Sequence, residues 1–211
     1  MKRGRASMRM AAIAAAMLMA WPTVAGPAYA QGLGFSQGYK FLEAVRKKDG
    51  QAVTDALSEP GTTIVNTRDG TSGDTALHIV TARRDLTWIR FLTAKGANVN
   101  ARNTKGVTPL SLASNLGFVE GVELLVQLGA KVDEASSTGE TALIAAVHRK
   151  DAAMARMLLK AGADPKRTDN SGRSARDYAE LDGRANPVLA EIENAARQPA
   201  AVKSSVYGPK F

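Results

Sequence analysis

Cysteine is absent from all 211 residues of this chain. That removes thiol nucleophiles, redox-sensing thiols, thiolate metal ligands and disulfides together. Stability must then come from buried apolar surface alone. Histidine is nearly as scarce. His78 and His148 are the only two, and neither H-x-x-x-H nor H-E-x-x-H occurs, so no metal site is expected. Aromatic residues make up 5%, and acids and bases are mixed along the chain without a basic stripe, which argues against nucleic-acid binding. No G-x-S-x-G turn accompanies Ser111, Ser114 or Ser136, and no phosphate-cradling glycine loop is present. No catalytic residue and no cofactor is assigned, and an enzyme is not expected.

Long apolar runs are also few. The strongest, residues 10–21, is shorter than the roughly 20 residues a spanning helix needs. It follows a basic segment (Lys2, Arg3, Arg5, Arg9) and precedes Pro22, Gly26 and the small-residue pattern Ala28-Tyr29-Ala30. This is the layout of a secretory signal peptide cut after Ala30, by the general secretory route and without a lipidated cysteine. The expected location is therefore periplasmic or secreted, with no stable membrane insertion after cleavage. Four of the eight net positive charges leave with the leader, so the remainder carries a mild +4.

What the chain does contain is a repeat. Gly73, Gly106, Gly139 and Gly172 recur every 33 residues, each followed two positions later by a hydroxyl: Thr75, Thr108, Thr141 and Ser174. Gly96, Gly129 and Gly162 keep the same interval, each followed by alanine. The segments "GDTALHIV", "GVTPLSLA", "GETALIAA" and "GRSARDYA" resemble the ankyrin repeat, whose core pattern is T-P-L-H-x-A. The resemblance implies an all-α solenoid of helix-turn-helix units joined by short hairpins and capped at both ends. The expected divisions are a leader (1–30), a short mobile segment (31–38), a repeat domain (39–197) and a mobile tail (198–211). Within the domain lie an N-terminal cap (39–72), repeats at 73–105, 106–138 and 139–171, and a C-terminal cap (172–197).

In the central unit, Thr108 is expected to cap the first helix, with Pro109 at its first position, where a missing N–H costs nothing. Leu110, Leu112 and Ala113 are assigned to the buried side, and Gly117 to the left-handed helix end. The second helix buries Val119, Val122, Leu124, Leu125 and Leu128. Equivalent residues are Leu77, Val80, Ile89, Phe91 and Leu92 before it, and Leu143, Ala146, Ala155, Met157, Leu158 and Leu159 after it. Trp88 and Phe118 are read as core. Arg84 and Lys150 stand where Gly117 ends its helix, which predicts left-handed strain. The first hairpin carries three extra residues within 58–73, read as an insertion tolerated beside a cap. A final helix is expected near 187–196.

Only the first unit keeps the motif histidine. The family resemblance gives His78 a structural role, bonding locally and between repeats. The same resemblance maps a concave binding groove onto hairpin residues Ser72, Asp74, Lys105, Val107, Thr138 and Glu140, and onto first-helix residues Arg83, Asn115, Leu116, His148 and Arg149. Arg83, Arg84, Arg149 and Lys150 add a basic edge. These features predict a monomeric, exported binding module or scaffold for a protein partner. Resemblance to exported bacterial ankyrin-repeat proteins suggests a second reading, an accessory factor that protects a periplasmic enzyme, for example in peroxide defence. A hydrolase with an unrecognised site is a third.

Overall fold

The computed structural model describes residues 36–59 and 61–197. The expected leader and the tail at 198–211 lie outside the described residues, as does most of the segment placed at 31–38. Among the described residues ten α-helices follow in chain order: α1 Gln37–Lys47, α2 Gly50–Leu57, α3 Ala76–Ala82, α4 Leu86–Ala94, α5 Pro109–Asn115, α6 Val119–Gln127, α7 Ala142–His148, α8 Ala152–Lys160, α9 Ala175–Leu181 and α10 Pro187–Arg197. There is no strand among the described residues, only isolated antiparallel bridges at the first and last hairpins, Arg68 with Thr75 and Thr168 with Ser174. Helical structure begins two residues before the boundary expected at 39. Ser36 makes the difference, because its hydroxyl accepts the Tyr39 N–H and caps α1.

Most helices in the stack are started by a side-chain cap. Thr108 and Thr141 accept the N–H groups of Ser111 and Ile144, and Ser174 accepts that of Asp177. The residue three places on returns a bond wherever its side chain allows. Ser111 takes the Thr108 N–H at 2.9 Å and Asp177 takes the Ser174 N–H at 2.8 Å, whereas Ile144 has nothing to return. Second helices start on aspartates: Asp49, Asp85 and Asp151 accept from Ala52, Trp88 and Met154. The central unit departs here. Phe118 replaces the aspartate, and its ring lies so close to Gly121 that no Cβ would fit there.

Paired helices stack along the chain. Between neighbouring inner units the first helices are in closer contact than the second helices. Alanine permits this approach, with Ala113 and Ala146 fully buried. Leu77, Leu110 and Leu143 fill the space beside them, while Ile89, Leu92, Val122, Leu125, Ala155 and Leu158 close the layer between rows. Some expected core residues are only half-buried: Leu112, Val119, Leu128, Phe91, Met157 and Leu159. On α5 the helix turns its serines inward instead. Ser111 and Ser114 are buried, and Ser114 Oγ donates to the Ala142 carbonyl of the next unit at 2.7 Å. Phe118 is core as expected, whereas Trp88 is half-buried with its edge toward Phe91.

The ends are closed by different means. At the C-terminus, α10 packs on α8, and Arg156 grips Glu191 with two bonds of 2.9 and 2.6 Å. At the N-terminus the lengthened hairpin folds onto the cap. Its Ile64–Asn66 turn buries Val65, and Asn66 bonds both the Gly96 carbonyl and the Asn98 N–H of the next unit. Arg46 of α1 reaches Asp69 at 2.6 Å.

Candidate protein-binding surface

The hairpin tips are tied to one another by their backbones. Thr104 N–H donates to the Ser72 carbonyl at 3.0 Å, Ser137 N–H to Lys105 at 2.9 Å, and Asn170 N–H to Thr138 at 3.0 Å. The glycine series makes this stacking possible. A Cβ on Gly73, Gly106 or Gly139 would strike the next hairpin's backbone, and all three adopt positive φ. Gly172 has no following hairpin and nothing near it. With backbone groups consumed by the neighbouring tip, the side chains are what face outward.

Several residues assigned to the groove turn out to be engaged internally. Asp74 accepts the Asn103 side-chain amide at 2.8 Å, so its identity serves hairpin-to-hairpin bonding. Arg83, expected in the groove and the basic edge, is also engaged within the stack. Its side chain is only 17% exposed, pairs with Asp85 at 3.2 Å, bonds the Val45 carbonyl and covers the Trp88 ring at 4.9 Å. Ser72 is half-buried, its hydroxyl accepting the Asp74 N–H. Val107 is half-buried and its carbonyl lies 2.9 Å from His78 Nε2. The expected residues that remain exposed are Lys105, Asn115, Thr138, His148 and Arg149, with Leu116 and Glu140 half-buried between them.

The C-terminal end of this face carries a compact polar cluster. His148 Nδ1 is 3.8 Å from Glu140 and its ring stands edge-on to Tyr178 at 4.7 Å. The Tyr178 hydroxyl donates to Asp169 at 2.7 Å, and that bond holds the Asp169 carboxyl below the usual carboxylate range while raising Tyr178. Tyr178 was not among the expected site residues, although it lies within the fourth copy of the motif, "GRSARDYA", in the C-terminal cap. Among the described residues no group of histidines and carboxylates is arranged to hold a metal ion.

His78 is built into the stack. Its Nδ1 accepts the Thr75 N–H at 3.2 Å, so Nε2 carries the proton that is donated to the Val107 carbonyl of the next unit. Burial pushes the imidazole below its ordinary value. This is the local and inter-repeat bonding that the resemblance implies.

Comparison with known proteins agrees with this geometry. Two family models, described as ankyrin repeats (3 copies) and ankyrin repeats (many copies), match residues 41–136 and 125–179. The chain belongs to the ankyrin-repeat family. It is also similar to an ankyrin repeat protein, OPG189, of Monkeypox virus, with 41% identity over 54 residues. That alignment takes in 26% of this chain and 9% of the viral protein. Ankyrin stacks are protein–protein interaction modules. No helix among the described residues is long and apolar enough to cross a membrane.

Proposed function

We propose that this ankyrin stack is a non-enzymatic binding module, exported by its N-terminal leader to the periplasm or beyond, that holds a protein partner in its concave groove as a monomer. One observation carries the reading. The hairpin backbones are spent on one another, while Lys105 and Asn115 stand exposed, their side chains without a partner among the described residues, at positions fixed by the stack. With the hairpin backbones already fixed by the stack, docking orders side-chain rotamers but little backbone. The leader pattern at 1–30 supports export. Protection of an exported enzyme is one form such binding would take, and it is distinguished by what the chain captures.

The test is crosslinked capture from the cell envelope with the tagged full chain, followed by mass spectrometry. Lys105→Glu with Asn115→Glu should abolish capture of the dominant partner while leaving the melting temperature unchanged. Capture that survives this double change moves the binding surface elsewhere. Capture of nothing by the unaltered chain removes the proposal. N-terminal sequencing of the exported protein should begin at Gln31.

A further inference from the structure

At the end of the groove away from the hairpins, the first helices finish in a row of cations: Lys47, Lys48, Arg83, Arg84, Arg149 and Lys150. Most have carboxylates. Glu43 lies 3.8 Å from Lys47, Asp85 is shared by Lys48 and Arg83, and Asp182 lies 3.7 Å from Lys150. Arg84 and Arg149 have none among the described residues. Both are exposed, and they come from the units on either side of the central one. They converge on the same helix end: Arg84 Nη2 donates to the Leu116 carbonyl at 2.5 Å, and Arg149 Nη1 to the Asn115 carbonyl at 3.3 Å. Gly117 makes room, because a Cβ there would collide with the Arg149 guanidinium.

Each guanidinium carries five donor N–H groups and spends one nitrogen on a carbonyl. The remaining donors of two cations therefore flank Leu116, a half-buried aliphatic side chain, with no negative side chain to meet them. The chain cannot supply one from elsewhere in this sequence. All 20 of its Asp and Glu residues lie within the described part, and residues 1–35 and 198–211 contain none. We infer that Arg84, Leu116, Gly117 and Arg149 form a docking point for an acidic segment of the partner protein, a carboxylate bridging the two guanidinium groups and an aliphatic side chain resting on Leu116. This rests on the protein-binding reading above and specifies the chemistry of the partner. Planar guanidinium groups suit it, since they bind carboxylates through paired, directed bonds that a lysine cannot make.

The test uses the full chain and a fluorescein-labelled peptide of alternating Glu and Leu, with the Gln-for-Glu peptide as control, read by fluorescence anisotropy. The Glu peptide should bind about tenfold more tightly than its Gln counterpart, and less tightly as salt rises. Arg84→Gln with Arg149→Gln should erase the difference, whereas Arg90→Gln, an exposed arginine on α4, should not. Because the two arginines also cap α5, Leu116→Asp serves as a second variant that keeps both carbonyl bonds and should repel the Glu peptide. Equal binding of the two peptides, or Glu-peptide binding that survives both variants, would overturn the inference. Envelope capture separates the two readings. A partner lost with Lys105→Glu and Asn115→Glu but retained by the double arginine variant sinks the acidic docking point alone. Self-association abolished by the arginine changes would assign the site to a second copy and overturn it as well.

Discussion

Individual residues in this stack do more holding than their exposure suggests. His78 gives the clearest pH signature. Its imidazole is held below 6.5 by burial, so the unfolded chain takes up the proton first as pH falls. The stability it contributes is complete above about 6.5 and declines beneath it, toward the folded value. His78→Ala should cost about 1–3 kcal/mol at neutral pH and flatten the fall in melting temperature between pH 7 and pH 5, as followed by circular dichroism. Asp69 acts lower. Backbone N–H groups of Ser72 and Thr71, and then Arg46, bring its carboxyl to about 2 from 3.8. Its contribution is present above 3.8 and lost as pH falls toward 2, and Asp69→Asn should make acid unfolding less steep in that window. Lys150 illustrates residual strain. Its φ of 55° is a glycine conformation, and its partner Asp182 is a solvent-exposed ion pair worth little. Lys150→Gly should stabilise the chain by about 0.5–1 kcal/mol in urea titration, whereas Gly117→Ala should destabilise it.

At the level of helices and hairpins, the 33-residue period was sufficient to locate the first helices α3, α5, α7 and α9, because the hydroxyl cap and the alanine or proline after it are local features. The same local logic picked out Gly117, Arg84 and Lys150 as left-handed helix ends, and all three have positive φ. Lateral partners were not legible. Asp74 and Arg83 looked like free groove residues because the groups they bind, Asn103 on one side and Val45 on the other, belong to neighbouring units. No periodicity announces such pairs. Burial of Ser111 and Ser114 in place of Leu112 was hidden for a related reason: hydropathy assigned the face, but the hydrogen bond from Ser114 to Ala142 sets it. Leu125 lies at the centre of its layer and is fully buried. Leu125→Ala should cost about 2–5 kcal/mol and lower the denaturation midpoint of the whole array, since both neighbouring interfaces lean on α6.

For the whole molecule, the two caps determine whether the stack is a bounded object. α10 covers the outer side of α8 through buried Val188 and Ile192, and the Arg156–Glu191 pair fastens it. Deleting residues 172–211 should leave Met154 and Leu158 exposed to solvent and shift the elution profile toward aggregates on size exclusion. The specific bonds that join units are all short in sequence. The widest of the side-chain bonds, from Asn186 to the Val147 carbonyl, spans 39 residues, and Ser114 to Ala142 spans 28. Among the described residues no side-chain bond runs from one end of the array to the other. Under tension the stack is therefore a row of links in series, in which every link carries the same load and the weakest gives way first. A partner gripped by the tips of three successive hairpins would bridge those links and turn an extensible spring into a stiff rod.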